Sequence, residues 1–336
     1  KGISPIMSLN NIENIDLEQK LSLQSICNFL KARTSYDVLA VSYKLIVLDT
    51  KLTLKKALTI LNNNNIVSAP LWDAENGKFA GLLTLTDFIN CIQYQIKNNK
   101  NDGENIIDYL PLKELYKLET DKNFPYKLDD VNIHPFQSLF QACLEMSKSN
   151  SRRISLIDFD EDTGKHFVIS VLTQYRILKF LTLNCREIRF LKKKIHTLNI
   201  IKTFDTIKFC NIHTPVIDVI EILSKTGVSS VPILEQVNEK DYKLINCYES
   251  VDVIGLVKNG LYNDLTLTVG EALLKRNEND FEGVYTCQED ETLFNILDCI
   301  RTNRVHRFYV IDKNGYIKGL LTLSDILNYI LNAGTA

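Results

Sequence analysis

No two cysteines in this 336-residue chain stand in a CxxC pair, and none shows metal-ligand spacing. The eight that occur, Cys27, Cys91, Cys143, Cys185, Cys210, Cys247, Cys287 and Cys299, mostly lie in apolar runs and read as small buried thiols of a reducing compartment. Catalytic motifs are equally scarce. There is no GxGxxG, GxSxG or HExxH, and the GxxxxG from Gly255 to Gly260 runs on into Leu261 and Tyr262, where a phosphate-binding loop needs Lys and then Ser or Thr. The five histidines are dispersed, and His134 and His213 precede helices at matching positions, which reads as structural. Charge of one sign is missing too. With a formal net charge of -2 and a pI near 6.3, the whole chain has no drive toward nucleic acid or anionic membranes. No apolar run approaches membrane-spanning length, and Lys1 to Asn10 lacks a signal peptide's apolar core, so the expected location is cytoplasmic and nuclear.

What is present is a pattern that recurs four times. Its most complete copy, Val305 to Asp325, runs from the basic pair His306 and Arg307 through the apolar run Phe308 to Ile311 and a turn at Asp312 to Gly315. A second apolar run, Ile317 to Leu321, then leads into Thr322, Leu323, Ser324 and Asp325, the hydroxyl-rich start of a helix. With an earlier strand and an amphipathic helix, each copy is a βαββα unit. The expected units are residues 45–96, 128–190, 195–260 and 270–332, with a polar linker at 97–127 containing a short helix near Leu112 to Leu118. Residues 1–44 form an N-terminal helix and connector. That helix opens on Asp16 and Gln19 as a capping box and carries an apolar stripe of Leu17, Leu21, Leu23, Ile26, Cys27 and Leu30, which must pack across a domain or against another subunit. Thr214 and Pro215 suggest an N-cap followed by proline at the first helical position. The first unit is expected to open on a strand from Leu45 to Leu48. Asp87, Arg176, Asp252 and Asp325 mark equivalent positions roughly 75 to 90 residues apart, longer than solenoid repeats. One such unit buries too thin a core to stand alone. Pairing of units one with two and three with four, as pseudo-twofold α/β modules, is the expected solution.

The repeated positions suggest a ligand. An acid at a helix start can simply complement the helix dipole, worth about a few tenths to 1 kcal/mol. Here the acids recur in register at Asp87, Asp252 and Asp325, and a carboxylate can accept hydrogen bonds from both hydroxyls of a ribose. Arg152, Arg153, His306 and Arg307 lead into strands of the even-numbered units; each alone is plausible as a solvated face, but pseudosymmetry would gather them into a phosphate-binding set. Ser229, Thr203, Thr322 and Ser324 could add hydroxyl contacts. A binding module fits better than an enzyme.

The fourfold pattern ending in hydrophobic-x-Thr/Ser-x-x-Asp resembles tandem cystathionine-β-synthase (CBS) repeats. The strings SAPLWD (Ser68 to Asp73), LTLTDFI (Leu83 to Ile89), QYRILKF (Gln174 to Phe180), VHRF (Val305 to Phe308) and LTLSDIL (Leu321 to Leu327) are similar to the gamma regulatory subunits of AMP-activated, or sucrose-non-fermenting, protein kinase, in their fungal form. The resemblance implies four CBS repeats paired into two Bateman modules forming a disc. It further implies a non-catalytic subunit that binds AMP, ADP or ATP without a cofactor or metal and joins a catalytic alpha subunit and a beta scaffold subunit in a heterotrimer. Carried over by motif, the ribose acids are Asp87, Asp252 and Asp325, the phosphate cluster is Arg152, Arg153, His306 and Arg307, and Ser229, Ser324 and Thr203 are further contacts of the fourth site. Val67, Tyr175 and Gly227 stand where animal relatives have basic residues, which is expected to weaken the third site most. A constitutive scaffold that relieves kinase autoinhibition, its nucleotide sites largely vestigial, is the competing expectation.

Overall fold

The computed structural model describes residues 5–40, 43–98, 106–118, 128–149, 151–258, 265–276 and 283–335. Three of the four units share one sheet plan, in which a short first strand lies parallel to the second and the second pairs antiparallel with the third. They are β1 (Leu48–Asp49), β2 (Ser68–Asp73) and β3 (Lys78–Thr84) in the first unit, and β4 (Asn132–Ile133), β5 (Arg153–Asp160) and β6 (Lys165–Thr173) in the second. The fourth unit has β10 (Thr286–Cys287), β11 (Arg307–Ile311) and β12 (Ile317–Thr322), extended by β7 (Lys202–Thr203) from the start of the third unit. The third unit keeps only β8 (Ser230–Gln236) and β9 (Tyr242–Glu249); its first strand is reduced to a bridge between Cys210 and Ile233.

Crossover helices α2 (Leu54–Asn63), α6 (Leu139–Ser149), α8 (Val216–Thr226) and α11 (Leu293–Thr302) link first to second strands, and α3 (Leu85–Lys97), α7 (Gln174–Asn184), α9 (Ser250–Lys258) and α12 (Leu323–Thr335) follow the third strands. Their buried residues fall at helical spacing, as in Leu54, Ala57, Leu58 and Leu61 of α2. Thr53 and Thr292 cap α2 and α11 by accepting the Lys56 and Asn295 N–H groups.

The pairing has two levels. Sheets join the units as expected: Leu82 N–H donates to Asp129 O at 2.7 Å between the first and second, while Leu234, Cys247, Tyr309 and Ile317 form a small core between the third and fourth. Helices join them the other way. One large core merges the first and third units, from Leu48 to Ala272 of α10 (Val269–Leu273), with the Ser224 hydroxyl donating to Asn90 Oδ1 at 2.9 Å inside it. A second merges the second and fourth. Each unit thus touches two others, and the loops before β5, β8 and β11 turn toward one centre.

The N-terminal helix α1 (Pro5–Ala32) packs on this second core through Leu23, Ile26, Cys27 and Leu30. It begins well before Asp16, so no capping box exists there; Gln19 is buried instead, donating to Tyr329 Oη and accepting from Lys193 N–H. Leu17 and Leu21 of the expected stripe are exposed. The crossing with α12 is close because Gly334 has no side chain: a Cβ there would run into Cys27 Sγ and Leu23 O. Gly334→Ala is therefore expected to lower stability by about 1–3 kcal/mol, read as a shift in the urea midpoint, despite alanine's better helix propensity.

Other expectations shift in detail. The first strand is Leu48–Asp49 and not Leu45 to Leu48. Pro215 is itself the cap of α8, whose first N–H groups donate to Leu267 and Leu265 carbonyls, so Thr214 has no capping role. Part of the supposed linker belongs to the first core, through α4 (Ile106–Tyr109), a 3-10 turn at Leu112–Glu114 and α5 (Leu115–Leu118), because Ile106, Ile107, Leu110, Leu112 and Leu115 are apolar and buried. Its remainder, with Pro125, lies outside the described residues, as do Gly260 to Tyr262. Gly255 lies within α9, which is no phosphate loop. No helix among the described residues is long and apolar enough to cross a membrane, and none of their His, Cys, Asp and Glu side chains form a metal-binding group.

Candidate functional site

The four marked positions all open a final helix, and their local chemistry separates them. In three units the acid sits three residues after the capping residue and accepts its N–H: Thr84 to Asp87 Oδ2 at 2.6 Å, Glu249 to Asp252 Oδ2 at 2.7 Å and Thr322 to Asp325 Oδ2 at 2.9 Å. Capping therefore occupies one oxygen in each. What surrounds the carboxylates differs. Asp87 is buried. Asp252 is gripped by Arg276, whose Nε and Nη2 donate to its two oxygens at 2.7 Å, and whose Nη2 also donates to Cys247 O at 2.6 Å. Burial holds the Asp252 carboxyl above its ordinary range, and the Arg276 guanidinium only partly offsets it. Asp325 lines a groove of about 560 Å³, walled by Ile200, Ile201, Lys202, Asn328 and Tyr329, with Lys202 Nζ 3.3 Å from its Oδ1. Arg176 in the second unit carries no acid and accepts the cap geometry in reverse, its N–H donating to Thr173 Oγ1.

The cations converge as the repeat register requires. Arg153 and Arg307 open β5 and β11, opposite Thr173 and Thr322 on the neighbouring antiparallel strands. A residue and its cross-strand partner are about 5 Å apart, so Arg307 lies one strand from the cap that Asp325 holds. Arg152 Nη2 donates to Gly227 O at the end of α8, where Gly227 takes the left-handed φ of +65° that lets the chain turn into β8. Arg307 Nη2 donates to Ser229 Oγ at 2.8 Å, and its Nη1 to Glu249. His306 stacks edge-on against Tyr175, ring centres 5.8 Å apart. Burial, with repulsion from Arg152 and Arg304, pulls the Arg153 guanidinium down to about 10, opposed only by Asp129. Cationic side chains from two units, held by backbone and hydroxyl groups of a third, crowd one centre and repel one another; that is the electrostatics of an anion site.

The Ser324 hydroxyl donates to Gln174 Oε1 at 2.9 Å and ties the second unit to the fourth, and Gln174 in turn donates its backbone N–H to Arg152 O. Thr322 Oγ1 donates to Asp325 Oδ2 at 2.5 Å. Thr203 sits on β7 opposite Gly319 of β12, exposed at the groove's edge beside Lys202.

The CBS domain family model matches residues 36–94 and 281–332. The 5'-AMP-activated protein kinase subunit gamma of Kluyveromyces lactis is 57% identical over 323 residues, covering 96% of this chain and 95% of that one. That of Saccharomyces cerevisiae is 56% identical over 319 residues, covering 95% and 96%. The chain belongs to the gamma subunit family of AMP-activated protein kinase. As a gamma subunit it is a regulatory chain and not the catalytic one. A solved Methanocaldococcus jannaschii protein, described as an archaeal homologue of this subunit, shares the fold at a TM-score of 0.66 and 19% identity over 87% of this chain and 98% of its own.

In this gamma subunit the three departures have distinct structural roles. Val67 packs against the first core, Tyr175 Oη donates to Asn303 O at 3.4 Å beside His306, and Gly227 supplies a helix end. Four further side chains matter at the sites and were missed in the sequence: Arg304, Arg276, Glu249 and Lys202. Arg304 stood two residues from His306 in one basic run and was legible in principle. Glu249 stands in register where the other units have Thr84, Thr173 and Thr322, a departure the repeat pattern carried, whereas Arg276 carries no periodic signal, because its importance comes only from where tertiary packing places it.

Proposed function

We propose that this gamma subunit senses energy state by binding an adenine nucleotide, with phosphate at the cationic centre of Arg152, Arg153, Arg304, His306 and Arg307 and ribose at Asp325, within a heterotrimer of catalytic alpha and beta scaffold subunits. The observation that carries this is the crowding of those cations about a centre whose Arg307 lies one strand from the cap held by Asp325, a carboxylate that itself lines a groove. Guanidinium groups bind phosphate bidentately, and a carboxylate oxygen not used for capping can accept ribose hydroxyls. Names of the relatives supply the partner side of the reading, since they are subunits of a protein kinase that 5'-AMP activates. The engagement of Asp252 by Arg276 and the burial of Asp87 support the fourth unit as the principal site.

Calorimetric titration with AMP tests it. Saturable binding is expected, weakened about tenfold or more in Asp325→Ala through loss of hydrogen bonds to a charged group. Equal affinity in the two proteins would remove Asp325 from the site.

A further inference from the structure

The cationic centre already contains an anion of its own. Glu249, the last residue of β9, comes from the third unit, and its Oε1 takes Arg307 Nη1 of the fourth. Both side chains are largely buried, at 18% and 16% exposure. Burial alone would pull the Arg307 guanidinium down, but the Glu249 carboxylate, together with Tyr309 and Cys247, offsets it and leaves it raised. Ser229 completes the arrangement on the other guanidinium nitrogen. The cavity beside this pair has about 20 Å³, bounded by Cys247, Glu249, Arg304, His306, Arg307 and Tyr309, and Glu249 is the only carboxylate among the residues lining it. That space holds about one water, too little for a phosphate group while Glu249 stays in place.

We propose that Glu249 is a specificity-determining residue of the nucleotide site: an internal counter-anion that a ligand phosphate must displace from Arg307, and that disfavours ligands of higher negative charge. The proposal rests on the nucleotide reading above and deepens it. Physically, the exchange swaps one carboxylate for one phosphate at the same guanidinium, so the gain from the first phosphate is small. After displacement the carboxylate remains tethered to β9 close to the ligand, and its repulsion grows with each further phosphate charge. Monophosphates are tolerated and triphosphates are penalised. The neighbouring Asp252 does not add to this charge toward the ligand, because Arg276 neutralises it.

The test compares AMP, magnesium-free ATP and inorganic pyrophosphate binding to the full chain in wild type, Glu249→Gln, Glu249→Ser and Glu249→Asp. The neutral variants are expected to bind AMP about tenfold more tightly and ATP about a hundredfold more tightly, shrinking the preference for AMP by about tenfold. Glu249→Asp keeps the charge and is expected to keep the wild-type ratio. An unchanged ATP-to-AMP ratio in both folded neutral variants overturns the proposal, as does an equal shift in Glu249→Asp, which would make the effect steric. Failure of both neutral variants to fold overturns it too, because an exchangeable pair must open without unfolding the chain. Pyrophosphate separates this from the reading beneath it, having neither ribose nor base. If no nucleotide binds any protein but pyrophosphate binds the neutral variants more tightly than wild type, the role of Glu249 survives and the nucleotide reading falls. If pyrophosphate affinity is also unchanged, both fall.

Discussion

Arg276→Ala is expected to destabilise the chain by about 3–5 kcal/mol, the largest effect of any single substitution considered, because it strands a buried carboxylate. Arg276 and Asp252 are 9% and 7% exposed, and the guanidinium spends its donors on both Asp252 oxygens, Cys247 O and, at 3.3 Å, Asn246 Oδ1. Once it is gone, Asp252 keeps only the Glu249 N–H among these contacts, in a setting that already holds its carboxyl above the ordinary range through burial. The pH dependence follows from that direction. An acid whose folded pKa is raised binds more protons in the folded than in the unfolded chain, so stability falls as pH rises from its unfolded value through its folded value. The deficit of Arg276→Ala should therefore be smaller at pH 5 than at pH 7. The double variant with Asp252→Asn should recover much of it, since the two residues are in direct contact and their effects are not additive. Urea unfolding midpoints at unchanged slope are the measurement. A deficit under 1 kcal/mol, flat with pH, would show that the pair is solvated.

Arg153→Met should do the opposite to stability and yet impair binding. The Arg153 guanidinium is charged at pH 7 in both states, but burial and the adjacent Arg152 and Arg304 make that charge costly in the folded chain. Methionine keeps a flexible apolar stem and removes the charge. Without ligand the variant is expected to be as stable as wild type or up to about 1 kcal/mol more stable. Its affinity for AMP should fall about 10- to 150-fold, the loss of about 1.5–3 kcal/mol that a hydrogen bond to a charged group carries. Wild type should gain about 2.7 kcal/mol at nucleotide 100 times above its dissociation constant, and the variant at the same concentration much less. Thermal scans with and without AMP read both quantities. A variant less stable on its own and unchanged in affinity would make Arg153 a structural residue.

These two sites show what a sequence can and cannot convey. The βαββα order was legible because strand and helix periods, the turn residues at Asp73 to Gly77 and Asp312 to Gly315, and the recurring acid all repeat in register. The cationic set of Arg152, Arg153, His306 and Arg307 was legible as a set, because its members hold equivalent positions in the two even-numbered units. The cross-joining of first with third and second with fourth units was not, since it depends on which helix faces match, through contacts such as Ser224 with Asn90 and Ser324 with Gln174. Asp16 and Gln19 misled because a local capping signal was overridden by tertiary packing, which buries Gln19 against Tyr329. Arg276 lies in a polar run, and nothing in that run says that it closes on an acid at the start of α9.

The most direct test of the central claim is a crystal structure of the chain with AMP. The phosphate should lie within hydrogen-bonding distance of the Arg153 and Arg307 guanidinium groups, with the ribose hydroxyls on Asp325. AMP seated at Asp252 or Asp87, with Asp325 contacting no ligand and the cationic centre without phosphate, would contradict it.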